Sequence, residues 1–107
     1  MKEIAYLKLL EDYETERLRI RIRTNNGKVI DIVVQYETLL NNKWTPIVRY
    51  DCAHGFFHRD VLFPKGEKEK ETIAISSSLK DALSYAEQEI KDRWEFYKER
   101  YIKRMKR

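Results

Sequence analysis

The clearest pattern in the chain is Arg-Leu-Arg-Ile-Arg-Ile-Arg at residues 17–23, which alternates without a break. A period of two sends Leu18, Ile20 and Ile22 to one face of a strand and Arg17, Arg19, Arg21 and Arg23 to the other. Thr24-Asn25-Asn26-Gly27-Lys28 then signals a hairpin, with residues 29–37 as the returning strand. A two-residue Asn26-Gly27 loop in strict register sets Ile22 opposite Asp31. A three-residue Asn25-Asn26-Gly27 loop sets Ile22 on Ile30, Ile20 on Ile32 and Arg21 on Asp31. A slip of one residue exchanges the two faces, so the three-residue loop is expected.

The second pattern is helical. Leu79, Leu83, Ala86, Ile90, Trp94, Tyr97, Tyr101 and Met105 form one continuous apolar stripe. Ser78, with Asp81 three residues later, suits its N-cap. Between the two patterns lie weaker signals. Residues 39–43 read as a turn and residues 44–52 as a third strand, with Pro46 at its start or on an edge. Residues 57–63 read as a fourth strand ending at Pro64-Lys65-Gly66, residues 68–71 as solvated loop, and residues 72–75 as a short strand. Residues 3–13 are expected to form a short helix, with an edge strand as the alternative.

The fold class that follows is α+β in a single domain over residues 1–107. An antiparallel β-meander of three to five strands (about residues 17–75) packs against one long C-terminal helix (about residues 78–106). Such a helix spans about 40 Å, whereas a seven-residue strand covers roughly 23 Å. Tyr97, Tyr101 and Met105 are therefore expected to need further cover, from the N-terminal segment or from a second copy of the chain.

Composition narrows the function classes. At 107 residues the chain can bury a core without disulfides or structural metal. Its single cysteine, Cys52, cannot form an intramolecular disulfide, which points to the cytoplasm. Neither a signal-peptide core nor a run of the ~20 apolar residues of a membrane span is present. Charged residues make up 37%, mostly Lys, Arg and Glu, the balance expected of a thermophilic protein. The net charge of +4 is modest, but Lys98, Arg100, Lys103, Arg104, Lys106 and Arg107 crowd the last ten positions. Interleaved with Tyr97 and Tyr101, this basic end suits single-stranded nucleic acid, and it equally complements a helix dipole. The arginine row at Arg17, Arg19 and Arg21 reads two ways as well, as a phosphate-facing surface or as a solvated strand face.

The candidate chemistry lies in residues 49–60, which hold both histidines, His54 and His58, with Arg49, Tyr50, Asp51, Cys52, Arg59 and Asp60. Gly55 and the β-rich flanks argue for a turn between two strands. Alternation gives Arg49 and Asp51 one face, and His58 and Asp60 share a face in the same way. Three readings stand together. His58 and His54 can move protons, with Asp51 orienting a histidine and Arg49 or Arg59 holding a phosphate. Asp51, His54, His58 and Asp60 can hold a divalent metal. Finally, the cluster can be a structural turn.

The segment Arg-Tyr-Asp-x-Ala-His-Gly-x-x-His-Arg-Asp, with Pro64-Lys65-Gly66 and the Ala82–Ala86–Glu87 helix, resembles a small uncharacterised prokaryotic family of about this length. More distantly, Arg49-Tyr50-Asp51 followed by His54 and His58 is similar to the TumE-type toxins of toxin–antitoxin pairs. Gly55-Phe56-Phe57 stands between the histidines, and there is no adjacent His-His pair. This second resemblance implies action on RNA and an antitoxin-like protein partner. The alternative is a non-enzymatic homodimer, joined through the Tyr97–Met105 stripe, that binds nucleic acid or an acidic protein.

Overall fold

A computed structural model describes residues 1–52, 55–74 and 78–106. Six strands precede one helix: β1 (Lys2–Leu9), β2 (Glu16–Asn25), β3 (Lys28–Leu40), β4 (Lys43–Asp51), β5 (His58–Leu62), β6 (Lys68–Thr72) and α1 (Leu79–Met105). The strands pair antiparallel in chain order, a six-stranded meander. The α+β class and the long C-terminal helix are as expected. The strand count is higher, and the two additions are the edges.

β1 replaces the helix expected at residues 3–13. Every residue of β1 is exposed, so no buried face imposes a period of two on it, and Ile4, Leu7 and Leu10 imitate a helical spacing. β6 replaces the loop expected at residues 68–71. Its Lys-Glu-Lys-Glu is strand alternation in charges: Glu69 and Glu71 pair with Val61 and Arg59, Lys68 and Lys70 with Leu62 and Asp60. Residues 73 and 74 lie outside any strand, and residue 75 is outside the described residues.

The first hairpin corrects the expected register. Asn25 pairs with Lys28 across a two-residue Asn26-Gly27 turn, in which both residues have positive φ (51° and 76°). A bulge between Arg23 and Thr24 absorbs Ile30 and sets Ile22 on Ile32, Ile20 on Val34 and Leu18 on Tyr36. Arg21 lies opposite Val33 yet reaches Asp31 diagonally at 3.8 Å. Asn41-Asn42 makes a second two-residue turn with positive φ, 50° and 62°. Pro46 falls where the β3–β4 register shifts, before β5 begins to pair, so no ladder donor is lost.

The apolar face can be read row by row. Leu18, Tyr36, Val48 and Val61 form one row and Ile20, Val34, Tyr50 and Arg59 the next. α1 lies on this face over β3 and β4, and buries Ala82, Ala86, Ile90 and Tyr97, with Leu79, Leu83, Trp94 and Tyr101 packed beside them. Ser78 caps it, its side chain accepting from the Asp81 N–H at 3.4 Å. β3, at 13 residues, spans about 43 Å, slightly more than the length of the helix. That is why Tyr97 finds cover within the chain, at 3% exposure, while Met105 stays at 43%. Among the described residues no helix is long and apolar enough to cross a membrane.

Candidate functional site

The opposite face of the sheet carries the polar set. Two rows cross it strand by strand. Leu7, Arg19, Gln35, Arg49, Asp60 and Lys70 pair in one, and Ala5, Arg21, Val33, Asp51, His58 and Thr72 in the other. Strand pairing thus puts Arg49 beside Asp60 and Asp51 beside His58, although the sequence holds them up to eleven residues apart.

His58 is 6% exposed. Its Nε2 lies 2.8 Å from Asp51 Oδ1 and 4.0 Å from Asp60 Oδ2, and its Nδ1 is 3.2 Å from the Phe56 carbonyl oxygen. Both ring nitrogens therefore face acceptors. A neutral imidazole has one N–H to give, and giving it to the Phe56 carbonyl leaves a bare Nε2 against two carboxylates. Arg49 Nε donates to Asp51 Oδ2 at 3.0 Å and its Nη1 to Gln35 Oε1 at 3.3 Å. Gln35 in turn donates to Glu37 Oε2 at 2.7 Å, and Glu37 accepts from Arg17 at 2.7 Å and Arg19 at 3.0 Å. Burial alone raises the Glu37 carboxyl; the hydrogen bonds from Arg19, Arg17 and Gln35 outweigh it and hold the group below its ordinary value.

The arginine row is laced with acids. Arg23 meets Glu3 at 3.0 Å and Arg21 meets Asp31 at 3.8 Å. Between β1 and β4 the face dips into a depression of about 350 Å³, within the size of a small-ligand site. Ala5, Leu7 and Val33 line it together with Arg19, Arg21 and Arg49. Arg21 Nε is buried there with no hydrogen-bond partner among the described residues.

A match to the family described as Domain of unknown function (DUF7718) covers residues 1–107. The chain belongs to the DUF7718 family. No curated protein and no solved structure matches it. The family description carries no activity, so the DUF7718 fold must be read from its own side chains.

The structure gathers Arg49, Asp51, His58 and Asp60, with Arg19 and Arg21 beside them. Arg59 is not among them, because alternation turns it to the helix side. There Nη1 donates to Tyr50 Oη at 3.2 Å and to Glu89 Oε1 at 3.3 Å, and Nη2 pairs with Glu71. Tyr50 Oη also donates to Glu89 Oε1 at 2.5 Å. Burial, then this bond to Glu89, push the Tyr50 phenol far above its ordinary value. Arg17 packs over the Trp44 ring at 3.9 Å. His54 lies outside the described residues. Arg100 and Arg104 fold back over Phe63 towards Glu69 on the helix side, and Lys103 is exposed there, so the basic helix end and the arginine row do not share a surface. Gln35, Glu37 and Val33 escaped the sequence reading. Their signal was available: on β3 they alternate in step with the arginines of β2.

Proposed function

We propose that this DUF7718 domain acts on RNA in the manner of a toxin-like protein, on the outer face of its sheet. One observation carries the reading. The depression lined by Ala5, Leu7, Val33 and three arginines adjoins the Asp51–His58–Asp60 cluster, and Arg49 belongs to both. An apolar floor suits a nucleobase, and guanidiniums at the rim suit the phosphates on either side. Arg49 then presents a phosphate to the cluster. His58 acts through Nε2, because Nδ1 is held at the Phe56 carbonyl. Arg59, with its guanidinium committed to Tyr50, Glu89 and Glu71, is a packing residue in this account. The similarity of Arg49-Tyr50-Asp51 followed by His54 and His58 to TumE-type toxins supports the same reading and brings with it an antitoxin-like partner.

The alternative, a non-enzymatic dimer joined through Tyr97–Met105, has less support, since Tyr97 is covered within the chain and, among the described residues, Phe96 and Met105 are the large apolar side chains exposed along that end. Fluorescence anisotropy with labelled single-stranded RNA tests the proposal. Binding that weakens with salt and with Arg21→Gln is expected, whereas binding indifferent to Arg21→Gln and Arg49→Gln would remove it.

A further inference from the structure

We infer that Asp51, His58 and Asp60 form the seat of a divalent transition-metal ion, of the Zn²⁺ or Mn²⁺ class. One donor atom from each lies within 4.8 Å of the others, where bonds of about 2.1 Å allow separations up to about 4.2 Å. Two observations besides the clustering point to a cation. Asp60 is 6% exposed, and its Oδ1 is buried with no hydrogen-bond partner among the described residues. A buried carboxylate left so is costly unless a positive charge meets it. Arg49, directly across the ladder from Asp60, is turned instead to Asp51 and Gln35. The second observation is the wiring of His58. Its Nδ1 sits at a backbone carbonyl and its Nε2 aims between two carboxylates, the arrangement by which a ligating histidine is fixed in tautomer and orientation. One imidazole nitrogen and two carboxylates suit a borderline ion better than Ca²⁺, which takes oxygens, or Cu(I), which takes thiolates. Three protein ligands leave positions open, the mark of a site that also binds water or substrate.

The ion has an electrostatic consequence for the outer face, and this part rests on the RNA reading. There Arg17, Arg19, Arg21, Arg23, Arg49 and Lys70 stand against Glu3, Asp31, Glu37, Asp51 and Asp60, a near balance. A dication offsets Asp51 and Asp60 and releases Arg49 for phosphate, so RNA binding and ion binding reinforce each other.

The test uses the full chain stripped with chelator. Zn²⁺, Mn²⁺ and Mg²⁺ are added separately, and the melting temperature and the ion retained after dialysis are measured. One Zn²⁺ or Mn²⁺ per chain is expected, with Tm rising by about 10 °C or more at roughly 100 times Kd and little response to Mg²⁺. Asp60→Asn should lose both the retained ion and the Tm rise, while its ion-free form melts no lower than the parent. Equal retention by Asp60→Asn, or none by the parent, would overturn the site. RNA anisotropy with and without the ion separates the two readings. An ion that binds without raising RNA affinity leaves the site standing and overturns the coupling, and an ion that binds to a chain showing no RNA binding leaves the site standing and removes the RNA reading. RNA binding in a chain that takes up no ion does the reverse.

Discussion

Arg59 stands between His58 and Asp60 in sequence but on the other face of the sheet in space, and replacing it with alanine separates packing from chemistry. Its side chain is 15% exposed and that of Glu89 is 11% exposed. Losing one partner of a buried ion pair costs about 3–5 kcal/mol. Here Glu89 keeps hydrogen bonds from Tyr50 at 2.5 Å and Tyr97 at 2.8 Å, so a loss of about 2–3 kcal/mol is expected. For a domain of this size that lowers Tm by about 8–20 °C, well within reach of a urea or thermal melt. Arg59→Ala combined with Glu89→Gln should cost less than the sum of the two, by about 1–2 kcal/mol, because the second change removes the stranded charge. RNA affinity should not change in the folded variant. A variant that melts like the parent but has lost RNA binding would refute this reasoning and return Arg59 to the phosphate.

Three further outcomes follow from the same geometry. Burial alone raises the Glu16 carboxyl, but hydrogen bonds from Thr15, Thr38, Tyr36 and Lys98 outweigh it and lower its pKa; Glu37 is lowered in the same sense. Stability from both is full above the ordinary carboxylate value of 4.5 and falls as pH drops below it through the folded-state values; urea melts across that range should flatten in Glu16→Gln. Arg19→Gln and Arg21→Gln should each reduce the salt slope of RNA binding by about 0.7–1, measured by anisotropy at several salt concentrations. Ile90→Ala, at a fully buried helix position, should cost about 2–5 kcal/mol in a urea melt.

What the chain betrayed of this architecture depended on whether burial is one-sided. β2 and α1 were legible because each buries one face, so Leu18, Ile20 and Ile22 keep a period of two and Leu79 to Tyr101 a period near 3.6. β1 buries neither face, and β6 is charged from Lys68 to Glu71, so neither leaves a hydrophobic period. The bulge at Ile30 was not legible either, since a one-residue insertion leaves the local alternation intact and shows only when the partner strand is in place. For the site, alternation gave Arg49 and Asp51 one face and gave His58 and Asp60 a shared face; only the pairing of β4 with β5 brings the two pairs side by side, and His54, grouped with them in the sequence, lies outside the described residues. Applied as strictly, alternation would also have sent Arg59 across the sheet; grouping it with His58 followed sequence adjacency alone. The depression over Val33 needed the pairing of β1 to β4, which no single stretch of sequence encodes.

The central claim is that the outer sheet face acts on RNA, and incubation of the full chain with end-labelled RNA tests it most directly. The run would set the parent beside Arg49→Gln and Asp60→Asn, with and without chelator, the ion-free forms all checked for melts no lower than the parent's. The account predicts cleavage by the parent, loss in Arg49→Gln, and loss with chelator or in Asp60→Asn. RNA left intact by the parent under every condition, with no salt-dependent binding, would contradict it.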